Sequence, residues 1–192
     1  MPNRWNTEIK KGCPFDCGLC PDHEQHSCVT VLEITEKCNL DCRVCYSSSG
    51  TDANLKHRTM SEIEYMLDQI MLNEGMADIV QISGGEPTIH PNFFEILDLA
   101  RTKNIRHLMI NTNGVKIANE DGFAEKLLAY MPGIEIYLQF DGLTKDVSEN
   151  LRGIDLTDIR KKALNKLNEI NLSTTLVTVV KKGINAHEIG EV

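Results

Sequence analysis

The sequence predicts an α/β fold in which parallel strands form a curved sheet, with helices outside and a ligand-holding lumen inside. Two observations carry this. Strand-like and helix-like segments alternate along the chain, the signature of βα units with parallel strands. In addition, the strands carry polar residues on only one of their two faces. An open sheet covered by helices on both sides would be apolar on both.

The elements follow in order. The β-branched run "VTVLEIT" (29–35) reads as the first strand. Strands over 79–83, 107–112, 134–140 and 174–180 come next. The helix "MSEIEYMLDQIMLNEG" places Ile63, Met66, Leu67, Ile70 and Met71 on one stripe, and Ser61 with Glu64 reads as its capping box. "PNFFEILDLA" opens with Pro91 in a favourable first-turn position. "FAEKLLAYM" is a short helix that ends before Pro132, and "IRKKALNKLNEI" buries Ile159, Ala163, Leu164, Leu167 and Ile170. A last helix begins within 185–192. Alternation along the strands puts Glu33, Gln81, Asn111, Gln139 and Thr178 on one face. The other face holds Leu32, Ile34, Val80, Ile82, Leu108, Ile110, Ile136, Leu138 and Phe140.

A chain of 192 residues, 41% apolar and 25% charged, is ordinary for one soluble domain with a real core. A net charge of -8 argues against general binding to nucleic acid or an anionic membrane surface. No apolar run approaches the roughly 18 residues of a membrane span, and the N-terminus is too polar for a signal h-region. The expected compartment is the cytoplasm. All seven cysteines lie at or before Cys45, so disulfides would leave the rest of the chain unstapled; metal ligation suits them better.

The cysteines form two motifs of the same C-x3-C-x2-C spacing. Cys38, Cys42 and Cys45 follow the first strand, where β/α barrels place functional groups. Three thiolates leave one iron of a 4Fe–4S cube without a protein ligand, which marks a reactive site. Past the second strand comes "GGEP", Gly84 to Pro87. Its glycines open the backbone to close approach, Glu86 brings a carboxylate, and Pro87 stiffens the exit. "NG" (Asn113, Gly114), "DG" (Asp141, Gly142) and "KKGIN" end the next three strands on the same edge. The earlier motif, Cys13, Cys17 and Cys20, precedes the first strand and has a fourth thiol in Cys28. Four thiolates close a site, so an auxiliary 4Fe–4S cluster or a mononuclear iron or zinc is expected there. His23 and His26 lie between these cysteines. The two motifs thus read as one open site and one closed site. The division expected is a cysteine-rich segment over 1–28 and a core over 29–192, incomplete at its C-terminus.

The cysteine loop after a first strand followed by "GGEP" after the second resembles the radical S-adenosylmethionine (SAM) superfamily. The resemblance implies a partial (β/α)6 TIM-like barrel, of which five strands are present. It also implies a 4Fe–4S cluster whose free iron chelates the amino and carboxylate groups of SAM. One electron then cleaves SAM to a 5′-deoxyadenosyl radical that abstracts a substrate hydrogen, with a donor such as ferredoxin or flavodoxin. By position, Gly84, Gly85, Glu86 and Pro87 would line the SAM amino group. Asn113 and Gln139 would face its ribose or methionine end, and the loop residue Arg152 its carboxylate. The aromatic usual before the third cysteine is Val44 here, with Tyr46 just after Cys45 as a partial substitute. The longer stretch from Lys10 to Tyr46 resembles the subgroup that includes tetraether lipid synthase, which implies carbon–carbon bond formation between lipid chains. The alternatives are a radical SAM methyltransferase, or a peptide- or cofactor-maturing enzyme, acting on a small molecule or peptide. From another class, a non-catalytic iron–sulfur or zinc protein predicts no use for "GGEP".

Overall fold

A computed structural model of the chain describes residues 27–192. Of the N-terminal motif only Cys28 falls within them; Cys13, Cys17, Cys20, His23 and His26 lie outside the described residues. Five strands, β1 (Val29–Thr35), β2 (Ala77–Gly84), β3 (Ile105–Thr112), β4 (Ile134–Gln139) and β5 (Thr174–Val177), form one sheet in the order β1-β2-β3-β4-β5. Every pairing is parallel, as βα alternation requires. The helices between them are α1 (Met60–Glu74), α2 (Phe93–Arg101), α3 (Val115–Asn119), α4 (Phe123–Leu127), α5 (Lys145–Arg152) and α6 (Thr157–Glu169). The architecture is a partial β/α barrel. No helix among the described residues is long and apolar enough to cross a membrane.

Strand parity divides the sheet as expected. Leu32, Ile34, Val80, Ile82, Leu108, Ile110, Ile136, Leu138 and Phe140 are all buried, in one cluster with Ile63 and Leu67 of α1, Ile96 and Leu97 of α2, and Ala163 and Leu167 of α6. Burying each such side chain contributes about 1.5–3 kcal/mol, so this face supplies the folding energy. The register carries the opposite face across the strands: Gln81 pairs with Met109, Met109 with Glu135, Asn111 with Tyr137, and Gln139 with Val177. Thr178 does not join that face. β5 stops at Val177, because the side chains of Asp141 and Asn185 take over the backbone beyond it. Val179 N–H donates to Asp141 Oδ1 at 3.1 Å, and Asn185 Nδ2 donates to Val179 O at 2.7 Å. Thr178 Oγ1 instead donates to Phe140 O.

Helix ends differ from expectation in three places. The capping box of α1 is Thr59 with Glu62, not Ser61 with Glu64: Thr59 is extended (ψ 157) and its N–H donates to Glu62 Oε2 at 2.7 Å. Ser61 is already inside the helix, and the Ile63 N–H ahead of it is taken by Thr59 O at 3.1 Å. Pro91 sits before the N-cap Asn92 rather than in the first turn of α2, since His90 Nδ1 holds the Asn92 N–H at 3.1 Å. Residues 185–192 form successive turns and not a helix. The Glu188 carboxylate there accepts from Leu143 N, Thr144 N and Thr144 Oγ1, which ties this segment to the loop after β4.

Thr59→Ala is expected to lower stability by about 1 kcal/mol in urea unfolding. Ser61→Ala should stay within about 0.5 kcal/mol of the parent. The reverse ranking would return the capping box to Ser61.

Candidate functional site

The cysteine loop is a long excursion between β1 and α1, fastened at several points. Cys38 N–H donates to Gly50 O at 2.8 Å, and Asp41 accepts from the Thr51 N–H and hydroxyl at 2.8 and 2.6 Å. Leu40 is buried beneath it. Val44 N–H donates to Leu151 O of α5 at 3.2 Å. These ties turn Cys38, Cys42 and Cys45, all partly exposed, into a pocket of about 680 Å³ at the C-terminal ends of the strands.

Gly84, Gly85, Glu86, Asn113, Gln139, Arg152 and Tyr46 line the same pocket. Pro87 does not; it is buried at the start of a 3-10 turn, Pro87–Ile89. The glycines serve a contact the sequence did not suggest. Gly85 N–H donates to Thr35 O at 2.8 Å and Glu86 N–H to Lys37 O at 2.9 Å. A Cβ on Gly84 would overlap Thr35 O, and one on Gly85 would overlap Lys37 O. Gly84 also takes a φ of +132, open to few other residues. The close approach seen is therefore to the lead-in of the cysteine loop.

Glu86 is 1% exposed. Its carboxylate accepts from Thr88 N at 3.1 Å, Thr88 Oγ1 at 2.5 Å, Thr112 Oγ1 at 2.7 Å and Asn113 N at 2.8 Å. Burial raises its pKa against the pull of those donors. The side chain thus knots the ends of β2 and β3 together, and Asn113 carries the knot onward by donating Nδ2 to Asn39 Oδ1 at 2.7 Å. Tyr46 is largely exposed, with its hydroxyl 3.2 Å from Ser83 Oγ.

Arg152 is not a loop residue. It ends α5, is 5% exposed, and donates Nε and Nη2 to Asp141 at 2.7 Å each. A second arginine, Arg160 of α6, donates Nη2 to Asp141 Oδ2 at 2.7 Å. The sequence reading missed Arg160, although it shares a helix face with Ala163 and Leu167, three and seven residues on. Asp141 is expected on the rim as part of the "DG" turn, but its arginine partners are not legible there. Burial works against its charge, but the two arginines and the Val179 N–H hold its carboxyl below the usual range.

The three thiols differ. Burial pushes Cys38 up to about 11, with Glu86 and Cys42 adding to it. Burial also raises Cys42, against the pull of Arg152. Burial likewise opposes ionisation of Cys45, but the Ser47 hydroxyl and the N–H groups of Ser47, Ser48 and Ser49 outweigh it and bring the thiol below its ordinary value. No three His, Cys, Asp or Glu side chains among the described residues are placed to share one metal ion. Three thiols spread around one pocket instead suit a polynuclear cluster that takes one thiolate per iron. The side chains of Glu33, Gln81, Tyr137 and Gln139 also reach the pocket, with no hydrogen-bond partner among the described residues. Unpaired polar groups there suit a polar ligand.

Comparison with known proteins adds the lineage. A family model described as the Radical SAM superfamily matches residues 32–192. The chain is 32% identical over 187 residues to 7,8-dihydro-6-hydroxymethylpterin dimethyltransferase of Methanocaldococcus jannaschii, covering 96% of this chain and 36% of that protein. It is 31% identical over 166 residues to mycofactocin maturase MftC of Mycobacterium tuberculosis, covering 85% of this chain and 40% of that protein. The chain therefore spans well under half the length of these relatives. Among solved structures, Streptococcus suis SuiB bound to S-adenosylmethionine matches with a TM-score of 0.69 at 23% identity, over 85% of this chain and 36% of that one. Native anSMEcpe with bound AdoMet and Cp18Cys peptide matches with a TM-score of 0.63 at 20% identity, over 85% and 47%. At such identities the likeness shows the fold, a partial barrel.

Gly85→Ala should force the "GGEP" turn off the backbone of Lys37 and cost about 1–3 kcal/mol in urea unfolding. Unchanged stability would mean that the contact with Lys37 O is not required.

Proposed function

Because the chain belongs to the radical SAM superfamily, whose enzymes use a 4Fe–4S cluster and SAM, we propose that Cys38, Cys42 and Cys45 hold that cluster and that the pocket beside them receives SAM. The observation that carries this is the convergence of the three thiols and the "GGEP" turn on one pocket. When bound, the cluster and SAM supply a one-electron reductive cleavage that yields a 5′-deoxyadenosyl radical able to take a hydrogen atom from a substrate. The protein's part is placement and exclusion of side reactions. Glu86 and Asn113 fix the cysteine loop against the sheet. Gly84, Gly85 and Pro87 shape the turn that faces the SAM amino group. Gln139 and Asn113 offer amides to the ribose or methionine end, and Tyr46 flanks the adenine. Arg152, whose Nη1 lies 3.4 Å from Val44 O in the cysteine loop, would offer its guanidinium to the SAM carboxylate. A ferredoxin or flavodoxin would supply the electron.

The finer reading is a cytoplasmic enzyme that joins lipid alkyl chains, as the subgroup resemblance implies. Val31, 51% exposed on β1, and Val179, 36% exposed past β5, support it by giving the pocket two apolar edges. A second reading, transfer to a pterin, is favoured by the identity with the pterin dimethyltransferase over 187 residues. Mass spectrometry of products from lipid and from pterin substrates separates the two. Residues 1–28 would be a separate segment, whose Cys13, Cys17, Cys20 and Cys28 would hold an auxiliary 4Fe–4S cluster or a mononuclear iron or zinc, with 29–192 as the core.

The direct test is the EPR spectrum of the reduced, reconstituted protein. SAM should change it, and Cys42→Ala should remove both the cluster signal and the change; a signal indifferent to SAM would sink the proposal. Cys28→Ala should lower bound metal while keeping the SAM-dependent change, and its loss would mean one site, not two. Gln139→Leu should weaken SAM about ten- to a hundred-fold with the same iron content, as a loss of about 1–3 kcal/mol implies. An unaltered dissociation constant would remove Gln139 from the SAM site.

A further inference from the structure

Beneath the cysteine loop two guanidinium groups share a single carboxylate. Asp141 is 0% exposed and takes three arginine hydrogen bonds of 2.7 Å, two from Arg152 and one from Arg160. Arg152 is 5% exposed and Arg160 0%. Neither arginine has another carboxylate partner among the described residues. The trio therefore carries one surplus positive charge, and a guanidinium cannot shed its proton to relieve it. Arg160 shows the imbalance at atomic level, because its Nε and Nη1 are buried without a hydrogen-bond partner among the described residues.

Buried charges are tolerated when paired, so a compensating anion belongs here. Glu86, a buried carboxylate that lines the pocket, is already committed to Thr88, Thr112 and Asn113. Glu188 is committed to Leu143 and Thr144. The open side of the trio is the cysteine loop itself: Arg152 Nη1 lies 3.4 Å from Val44 O, and Cys42 is within electrostatic reach of both arginines, so the anion that completes the balance is one held by that loop. Asp141 is itself fixed from behind, its carbonyl accepting Asn185 Nδ2 at 2.8 Å. The surplus charge is thereby held facing the cysteine loop.

We propose that Arg152, Asp141 and Arg160 form a charge-compensating seat for the iron–sulfur cluster, with Arg160 as the positioning residue whose surplus charge sets the cluster's reduction potential. The inference rests on the reading that Cys38, Cys42 and Cys45 hold a cluster. Reduction adds one electron to an already anionic thiolate-bound group, and a fixed cation in a low-dielectric site stabilises the reduced form more than the oxidised. Arg160 does not line the pocket and so acts through Asp141 and Arg152.

The test is EPR-monitored redox titration of the reconstituted protein in the absence of SAM. Arg160→Met should lower the midpoint potential by the equivalent of about a tenfold shift in the one-electron equilibrium, about 59 mV. Arg160→Gln keeps a donor for Asp141 and covers the case in which the methionine variant does not fold; it should fall equally. Arg160→Lys should restore the wild-type value. A loaded glutamine or methionine variant at the wild-type potential overturns the proposal alone, as does a lysine variant that falls as far as the neutral ones. A wild-type protein that takes up no cluster overturns the reading beneath it, and the proposal with it.

Discussion

The site depends on a contact between two stretches of backbone. The turn after β2 lies against the lead-in of the cysteine loop, Gly85 N–H on Thr35 O and Glu86 N–H on Lys37 O, with no room for a side chain at either glycine. The ladder between β1 and β2 skips a residue between Glu33 and Thr35, which swings the chain out toward that turn. His57 Nδ1, 2.8 Å from Thr35 Oγ1, and Arg58 Nε, donating to Glu33 O at 2.8 Å, bring the far end of the loop back to the same strand. The thiols thus stand on a loop closed at both ends upon the edge of the sheet, which gives a long irregular segment the precision that the proposed cluster would demand. Glu86 extends this order to β3, and Asn113 returns it to the loop.

The two faces of the sheet divide the work. The helix side is continuously apolar and carries the stability. The pocket side carries Glu33, Gln81, Asn111, Tyr137 and Gln139, groups of little use to folding that remain available to a polar ligand. On that side only the rim is heavily ordered by charge: Asp141 binds two arginines, the backbone beyond β5 and the turn at Asn185. The end of the fifth βα unit is therefore coupled through Asp141 to Arg152, which reaches Val44 O, and distortion in residues 179–188 would be felt at the cysteine loop.

Much of this was legible in the sequence because it is periodic or local. Alternation along Leu32 to Ile34, Val80 to Ile82 and Leu108 to Ile110 identified the buried face, and βα order identified parallel pairing. What escaped depended on long-range partners. The strand 174–180 looked continuous because Val179 and Val180 are β-branched, yet Asp141 and Asn185 capture the backbone there. Arg160 resembled any charged helix residue, since nothing local says that Asp141 lies nineteen residues earlier in sequence and 2.7 Å away in space. The glycines of "GGEP" were recognised as necessary, but what presses on them is the backbone of Thr35 and Lys37, which only tertiary structure shows. The capping box slipped by two residues because two overlapping Thr/Ser–Glu pairs satisfy the same pattern.

The central claim is that the cysteine loop and the "GGEP" turn form one catalytic pocket for reductive cleavage of SAM. The most direct measurement is the yield of 5′-deoxyadenosine when the anaerobically reconstituted protein is incubated with SAM and dithionite. The account predicts 5′-deoxyadenosine formation that requires both the reductant and the loaded cluster. A fully loaded protein that leaves SAM intact would contradict it and return the chain to the class of non-catalytic metal proteins.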